Sequence, residues 1–223
     1  PEQLIELKRV SAVGLSTDGK QVIYRTSAFD LESNERSVEL FAVPVKGGEV
    51  KSIAKIGDLV KDKNVSPDGN WKLESKEVKI DKISGTDHYE DVPNSNVLIY
   101  DQLNYRHWDQ WEDGSYSHLF IQSTSDEADE GVDLMEGSPY DCPQKPFGGD
   151  EDYIWSPDGK KVLYVTKKLA GTAYAKSTNT DIYEYDVAAK TTTNLTEENK
   201  CYDIHPSFSS KGTLAWLQMK RDG

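Results

Sequence analysis

The sequence has few cysteines and few basic residues for its length. Cys142 and Cys201 are the two cysteines in 223 residues, and their spacing fits no zinc motif. They could form one disulfide in an oxidising compartment or remain as buried thiols. Lysine and arginine number 26 against 39 aspartates and glutamates, so the formal net charge is −13. A chain this acidic lacks the positive face that binds phosphates, which argues against nucleic acid as a partner.

Long apolar runs are also missing. No stretch of about 18 apolar residues occurs, so the sequence predicts no membrane span. The chain also does not open with a signal-peptide pattern, in which a basic segment is followed by an apolar one. Because the chain begins at Pro1, we expect a processed or trimmed protein. Aromatic and turn-forming residues are abundant instead: the chain has 5 Trp, 12 Tyr and 5 Phe, together with 16 Gly and 9 Pro. This composition favours β structure with substantial cores.

One local pattern returns along the chain. Residues 153–166 are typical of a strand, a tight turn and a second strand, with the turn at Ser156-Pro157-Asp158-Gly159. Proline fixes φ there, the aspartate can bond to its own backbone, and the glycine accepts a positive φ. Related turns stand at residues 16–19, 66–69 and 209–212, the last with Lys211-Gly212 in place of Asp-Gly.

The spacing of these turns predicts the fold. A unit of roughly 50 residues with four antiparallel strands is typical of a β-propeller blade. We therefore predict an all-β fold, a propeller fragment of about three and a half four-stranded blades. Their ranges are 10–56, 57–140, 150–200 and, for the start of a fourth, 201–223. Because known propellers close with about four to eight blades, we expect a longer parent protein, and the open blade faces could support self-association.

The second predicted blade is longer than the others. Between strand candidates at residues 96–100 and 117–122, aromatic and apolar residues recur at helical spacing: Leu103, His107, Trp108 and Trp111. Gly114 would end such a helix. The pattern therefore predicts a short helical insertion near residues 102–112.

The same insertion carries a family resemblance. The segment Tyr105-Arg-His-Trp-Asp-Gln-Trp-Glu-Asp-Gly114, followed by Ser117-His-Leu-Phe120, resembles the prolyl oligopeptidase family of serine peptidases. The resemblance is to its bacterial dipeptidyl-peptidase or acylaminoacyl-peptidase branch. Residues 4–10, the turns at 66–69 and 156–159, and residues 146–159 extend it over essentially the whole chain. The resemblance implies an N-terminal propeller that covers a C-terminal α/β-hydrolase domain, in a periplasmic or secreted enzyme.

The chain itself lacks that hydrolase domain. No Gly-x-Ser-x-Gly nucleophile elbow occurs, since residues 14–18 fail at their last position. The four histidines have no serine in such a context; they are His88, His107, His118 and His205. We therefore assign no catalytic residue, no cofactor-binding residue and no metal ligand to this chain.

Propellers of the family filter substrates and, in some branches, hold the substrate's terminus with carboxylates or an arginine. Glu197-Glu198 is an adjacent acidic pair, but it follows a strand end and is predicted to be a solvated loop. Arg106 could reach a substrate carbonyl, although pairing with Asp101 or Asp109 on its own helix is favoured.

The aromatic residues of the insertion have two interpretations. Tyr105, Trp108 and Trp111 could form an aromatic binding platform, but packing of the inserted helix onto the second blade is favoured. Asn64-Val-Ser66 and Asn194-Leu-Thr196 fit a glycosylation sequon, which matters only in a eukaryotic secretory setting.

Two segments of the chain are strongly acidic. Residues of the first could bind calcium but lack the spacing of a calcium loop, so a solvated loop is predicted; they are Asp126, Glu127, Asp129, Glu130 and Asp133. Asp150-Glu151-Asp152 is also predicted to be solvated, although it precedes a blade and could face the central channel.

The sequence thus predicts a non-catalytic propeller that gates and filters short peptide substrates for its own C-terminal α/β-hydrolase domain. The alternative is a TolB-like or stand-alone propeller that acts as a protein-binding scaffold.

Overall fold

The computed structural model describes residues 4–5, 7–103, 105–107, 109–126 and 128–220. Antiparallel sheets dominate the described residues, which confirms the all-β prediction. The chain divides into two compact units, Pro1–Asp62 and Lys63–Gly223. In the described part of the chain, no helix has the length and apolar character needed to cross a membrane.

The first unit is one four-stranded antiparallel sheet in sequential order. Its strands are β1 (Arg9–Leu15), β2 (Gln21–Phe29), β3 (Arg36–Pro44) and β4 (Lys51–Ile53). Ile23 and Ala42 pair across β2 and β3 and are buried, and the rings of Tyr24 and Phe41 stack with centroids 5.4 Å apart. These positions match the sequence prediction. One strand lies on each side of the Asp18-Gly19 turn, and the third and fourth strands follow in order.

The second unit opens with a three-stranded sheet whose order is β5-β8-β9. Its elements are β5 (Trp71–Lys79), the helix α1 (Gly85–His88), β6 (Arg106–His107), β7 (Gln110–Trp111), β8 (Ser115–Ser123) and β9 (Val132–Asp133). The predicted first strand is reduced to a bridge between Val65 and Lys72. The Asn64 carbonyl accepts from the Leu73 N–H at 2.9 Å and from the Trp155 indole at 2.8 Å. This segment therefore ties two sheets together instead of extending one ladder.

The predicted helical insertion near residues 102–112 is wrong. β6 and β7 form a hairpin with Arg106 opposite Trp111. The regular spacing of the aromatic residues serves ring stacking, because Tyr105 and Trp111 lie with centroids 6.0 Å apart and planes at 19°. Aromatic side chains fit a pleated surface well, whereas an isolated helix this short has little stability. Asn104 and Trp108 lie outside the described residues.

The predicted strand at residues 96–100 is also wrong. Only a bridge between Ser84 and Leu98 forms there, supported by hydrogen bonds from the Gly85 N–H to the Val97 carbonyl and from the Ile99 N–H to the Ile83 carbonyl.

A complete four-stranded sheet and a hairpin follow. Their elements are β10 (Tyr153–Trp155), β11 (Lys161–Thr166), the helix α2 (Gly171–Lys176), β12 (Asp181–Asp186), β13 (Thr191–Asn194), β14 (Asp203–Phe208) and β15 (Leu214–Gln218). The strand-turn-strand pattern at residues 153–166 and the later strands match the sequence prediction.

Both faces of the β10–β13 sheet are buried. One face packs with the β5-β8-β9 sheet in a cluster that includes Val162, Tyr164, Leu73 and Leu119. The other face packs with the β14-β15 hairpin; this cluster consists of Leu163, Val165 and Ile182 with Ile154, Ile204, Phe208 and Leu214 around them. Each large side chain removed from water stabilises the fold by about 1.5–3 kcal/mol. Strand β11 is thus the centre of the second unit.

The cysteines are thiols rather than a disulfide. Cys142 and Cys201 are both buried, and burial raises the pKa of the Cys142 thiol.

The three Asp-Gly turns repeat one hydrogen-bond pattern. In the turn before β11, the Ser156 hydroxyl donates to Asp158 Oδ1 at 2.6 Å and accepts from the Lys161 N–H at 3.0 Å. The turns of Ser16 and Ser66 make the equivalent bonds. The serine hydroxyl holds the pKa of each turn aspartate below its usual range. Gly159 completes the turn at φ +69°, a conformation that favours glycine.

We expect Ser156→Ala to destabilise the protein by about 1–2 kcal/mol, because the partly buried Lys161 N–H loses its acceptor and the Asp158 carboxylate loses its donor. Ser210→Ala, which changes an exposed serine in the fourth turn, is the matched control and should be neutral. Urea unfolding of both variants measures the difference. Equal unfolding midpoints for the two variants would show that the turn pattern is not needed for stability.

Candidate functional site

Long connections from two packed sheets meet at one cleft. Residues 80–114 join β5 to β8 and residues 167–180 join β11 to β12, whereas the equivalent connection between β2 and β3 is residues 30–35. Since both long connections leave the corresponding strands of adjacent sheets, they reach the same edge. With residues 139–145 they line a cleft of about 320 Å³.

Glycine and tyrosine contacts fix the walls of this cleft. Gly114 has φ +86° and its carbonyl accepts the N–H groups of Ile80 and Asp81 at 2.9 and 3.0 Å. A Cβ at Gly114 would collide with the Asp81 carbonyl. On the opposite wall, the Tyr174 hydroxyl of α2 donates to the Lys145 carbonyl at 2.9 Å. Both long connections are therefore held by specific backbone contacts.

Asp141 and Lys145 form the main ion pair of the cleft. The Lys145 ammonium lies 2.9 Å from Asp141 Oδ1, which also accepts the Ser117 N–H at 2.9 Å. Only 13% of the Asp141 side chain is exposed. Burial raises the pKa of Asp141 despite the neighbouring ammonium. Burial lowers the pKa of Lys145, but the Asp141 carboxylate outweighs it and the net shift is upward.

Further carboxyl groups face the same space. Glu112 is half-buried and burial raises the pKa of its carboxyl group. The Tyr116 hydroxyl donates to Asp81 Oδ2 at 2.7 Å, and burial together with this bond raises the Tyr116 pKa. The lining has four carboxyl side chains against two lysines, namely Asp81, Asp101, Glu112 and Asp141 against Lys82 and Lys145. A cation bound here would favour the ionised carboxylates that burial disfavours.

Three aromatic rings stand beside the cleft. Tyr100 stacks on Trp111 with centroids 6.1 Å apart, and Tyr105 lies 5.5 Å from Tyr100. The rings remain accessible, with Tyr105 42% and Trp111 53% exposed. The prediction that they pack as a helix onto the second sheet is therefore wrong for these two residues. The alternative prediction, an aromatic platform, fits their exposure.

Arg106 lies on the aromatic cluster. Its guanidinium stands 5.5 Å from the Trp111 ring centroid, a cation–π arrangement. Because residues 102–112 are not a helix, the predicted helical spacing that would pair Arg106 with Asp101 or Asp109 does not exist.

The structure separates the acidic residues of the candidate calcium site. Asp129 Oδ2 accepts the Ser123 N–H at 2.6 Å, whereas Asp133 Oδ2 lies 2.7 Å from Nδ1 of the buried His118. Across the described residues, no three His, Cys, Asp or Glu side chains come together as a metal site. Glu127 lies outside the described residues, and Glu197 and Glu198 are exposed.

Asp152 is buried, which corrects the prediction of a solvated acidic segment at residues 150–152 for this residue, whereas Asp150 and Glu151 are exposed as predicted. Asp152 is 1% exposed, and its Oδ2 accepts the Gln144 N–H at 3.0 Å. The loop before it closes over the carboxylate so tightly that a Cβ at Gly148 would collide with it. The same loop carries Lys145 into the cleft.

Sequence reasoning missed most of the cleft. Asp81, Asp141 and Tyr174 come from three distant segments and share no motif. The one signal in the sequence was the extra length of the second predicted blade, which indicated an insertion near residues 102–112.

Relatives of the chain are peptidases. No protein-family model matches it. Two proteins named dipeptidyl-peptidase 5 align with the whole chain, one from Porphyromonas gingivalis at 33% identity and one from Porphyromonas endodontalis at 30%. The chain spans 39% of the length of each of these relatives. A solved structure of an acylaminoacyl peptidase from Pyrococcus horikoshii is similar with a TM-score of 0.53 and 16% identity, covering 90% of this chain and 34% of the other.

At that identity the structural likeness speaks to the fold alone, and it supports the propeller prediction. The two sequence relatives confirm the predicted resemblance to bacterial dipeptidyl-peptidases.

Burial of Asp152 predicts a pH-dependent stability. Burial raises the pKa of Asp152 from its ordinary 3.8 to about 6. The folded state therefore binds this proton more tightly than the unfolded state does. The free energy of unfolding should rise by about 2 kcal/mol from this group as the pH falls from about 7 to about 4.

Asp152→Asn keeps an oxygen acceptor for the Gln144 N–H and removes the titrating group, so its stability should lack this rise. Urea unfolding across the pH range measures it, with the exposed Asp91→Asn as the control that keeps the wild-type dependence. The same pH dependence in Asp152→Asn and wild type would contradict the assignment.

Proposed function

We propose that this chain, a relative of the dipeptidyl-peptidase 5 proteins, is the non-catalytic propeller portion of a longer, exported serine exopeptidase. The observation that carries the proposal is the alignment of the whole chain with 39% of the length of two dipeptidyl-peptidases. The catalytic α/β-hydrolase domain would lie outside these residues. The four blade ranges, 10–56, 57–140, 150–200 and 201–223, are part of the proposal.

In this proposal the propeller gates the active site. A wall of packed sheets admits a short, flexible peptide, because such a chain can thread a narrow channel. A folded protein is excluded by its size. The chain then determines which substrates reach the nucleophile without taking part in the chemistry.

The acidic cleft would hold the positively charged end of the peptide. Asp141 and Glu112 are carboxyl groups whose pKa values burial raises, so a bound ammonium group would stabilise their ionised forms. The lining is net negative in charged side chains. A charge-assisted hydrogen bond to such a group contributes about 1.5–3 kcal/mol, enough to anchor a dipeptide-sized substrate in one orientation.

The coding sequence beyond Gly223 tests the peptidase assignment. We expect a Gly-x-Ser-x-Gly motif within a strand-turn-helix pattern, roughly 250 or more residues downstream. An open reading frame that ends after the last blade would overturn the assignment and favour a stand-alone, protein-binding propeller.

Glu112→Gln in the full-length protein should raise KM for dipeptidyl substrates about tenfold with little change in kcat, since a charge-assisted contact to the peptide amine is lost in ground and transition states alike. Glu136→Gln, which changes an exposed glutamate outside the cleft, is the matched control. Steady-state kinetics measures both. An unchanged KM in Glu112→Gln would show that the cleft does not bind the substrate.

The isolated chain is expected to self-associate through open sheet faces. On β15, Leu217 is 60% and Trp216 37% exposed, with Met219 just beyond it 44% exposed. Sedimentation velocity should show dimers that increase with concentration, and Leu217→Lys should reduce them. Val45→Lys, at an exposed position of the first unit, is the control. A clean monomer at high concentration would contradict this expectation.

A further inference from the structure

Four buried side-chain oxygens at one end of the β10–β13 sheet have no hydrogen-bond partner in the part of the chain that the structure describes. They belong to the last residue of β11, the first residue of β12 and the two positions before Thr180; the atoms are Thr166 Oγ1, Asp181 Oδ1, Thr178 Oγ1 and Asn179 Oδ1. Buried polar groups of folded proteins almost always have a partner, which can be an ordered water or an ion. A group of such oxygens in one place therefore points to a small, electropositive ligand.

Three of these oxygens belong to side chains on the same side of the sheet. Thr166 and Asp181 are opposite each other in the β11–β12 ladder, and opposite residues of an antiparallel pair share a face with Cα atoms about 4.5–5.5 Å apart. The Thr180 hydroxyl donates to a backbone carbonyl of β14 at 3.0 Å. Since side chains alternate along an extended chain, Asn179 and Asp181 both point away from β14. By the same alternation Thr178 points to the other side, so the site rests on three residues.

The three residues enclose a buried position with one negative charge. Thr166 is 0% exposed, and Asp181 Oδ2 has only the Tyr183 hydroxyl, at 3.4 Å, as a hydrogen-bond donor close to it. Burial raises the pKa of Asp181, so a cation beside it would favour the ionised carboxylate. One carboxylate balances one positive charge, whereas a divalent ion would leave a buried excess of charge. The exposed ammonium groups of Lys168 and Lys200 interact with Asp181 as well, which disfavours a divalent ion further.

The donor atoms also select the kind of metal. A carboxylate, an amide carbonyl and a hydroxyl are hard oxygen donors, which suit alkali and alkaline-earth cations whose coordination water can complete. Zinc and other transition metals prefer nitrogen and sulfur donors. Across the residues that the structure describes, no three His, Cys, Asp or Glu side chains come together. Ligand type and charge together therefore favour an alkali cation.

We propose that Thr166, Asn179 and Asp181 bind a monovalent metal cation, sodium or potassium, which ties the end of β11 to the start of β12. Residues 167–180 leave the sheet at the first of these strands and return at the second, so the ion would hold both ends of this long connection. The proposal does not depend on the peptidase assignment, because its three residues lie outside the lining of the acidic cleft.

Hydrogen exchange of the full-length protein in different salts tests the proposal. The amides of residues 167–181 should exchange at least about threefold more slowly in sodium or potassium chloride than in N-methylglucamine chloride of equal ionic strength, because an ion that binds only the closed form raises the free energy of local opening. The slowing should saturate with ion concentration, and the amides of β8 serve as the internal reference. Equal exchange in the three salts would overturn the proposal, as would slowing by calcium chloride alone.

Variants separate an ion site from a structural role of the same side chains. Thr166→Val and Asp181→Asn should each abolish the slowing by sodium and potassium, while Thr193→Val, at an exposed threonine of β13, should retain it. In N-methylglucamine chloride Thr166→Val should be as stable as the wild type, because the hydroxyl that it removes has no protein partner. A loss of stability of equal size in N-methylglucamine and sodium chloride would show a purely structural hydroxyl and overturn the proposal. Retention of the ion response in both site variants would overturn it as well.

Discussion

The second unit depends on covering both faces of one four-stranded sheet. Strand β11 has Val162 and Tyr164 on one face and Leu163 and Val165 on the other, all 0–1% exposed. A sheet that is apolar on both sides cannot remain in water, so it requires a neighbour on each face. The β5-β8-β9 sheet provides one and the β14-β15 hairpin the other. Stacking of sheets face to face is the arrangement from which propellers are built.

Face-to-face stacking also brings the candidate site together. Corresponding connections of adjacent sheets leave from the same edge, so residues 80–114 and 167–180 meet without any local sequence signal. The inserted segments contribute Glu112 and Tyr174, and the segment after β9 contributes Asp141 and Lys145. The packed sheets hold the strand ends fixed, while the connections supply polar and aromatic side chains. Binding residues on loops that a rigid scaffold positions are a common arrangement.

Local features of the fold were predictable, and long-range ones were not. Ser156-Pro157-Asp158-Gly159 encodes its turn in consecutive residues, so the strands on either side of it were predicted correctly. The residues around Tyr105 and Trp111 have a spacing that suits a helix. In the folded protein, however, stacking of their rings favours a hairpin instead. The carboxyl groups of Asp81, Glu112 and Asp141 lie far apart in sequence, and burial rather than sequence context sets the pKa values of Glu112 and Asp141. Asp152 was misassigned because its neighbours are acidic and polar, while its burial depends on the loop that closes at Gly148.

The central claim is that the cleft of this propeller portion receives the amino terminus of a peptide. The most direct measurement is an experimental structure of the full-length protein with a dipeptide bound. We expect the α-ammonium nitrogen of the dipeptide to lie within hydrogen-bond distance of the Glu112 or Asp141 carboxyl group. A dipeptide whose ammonium group lies away from residues 81, 112 and 141 would contradict it.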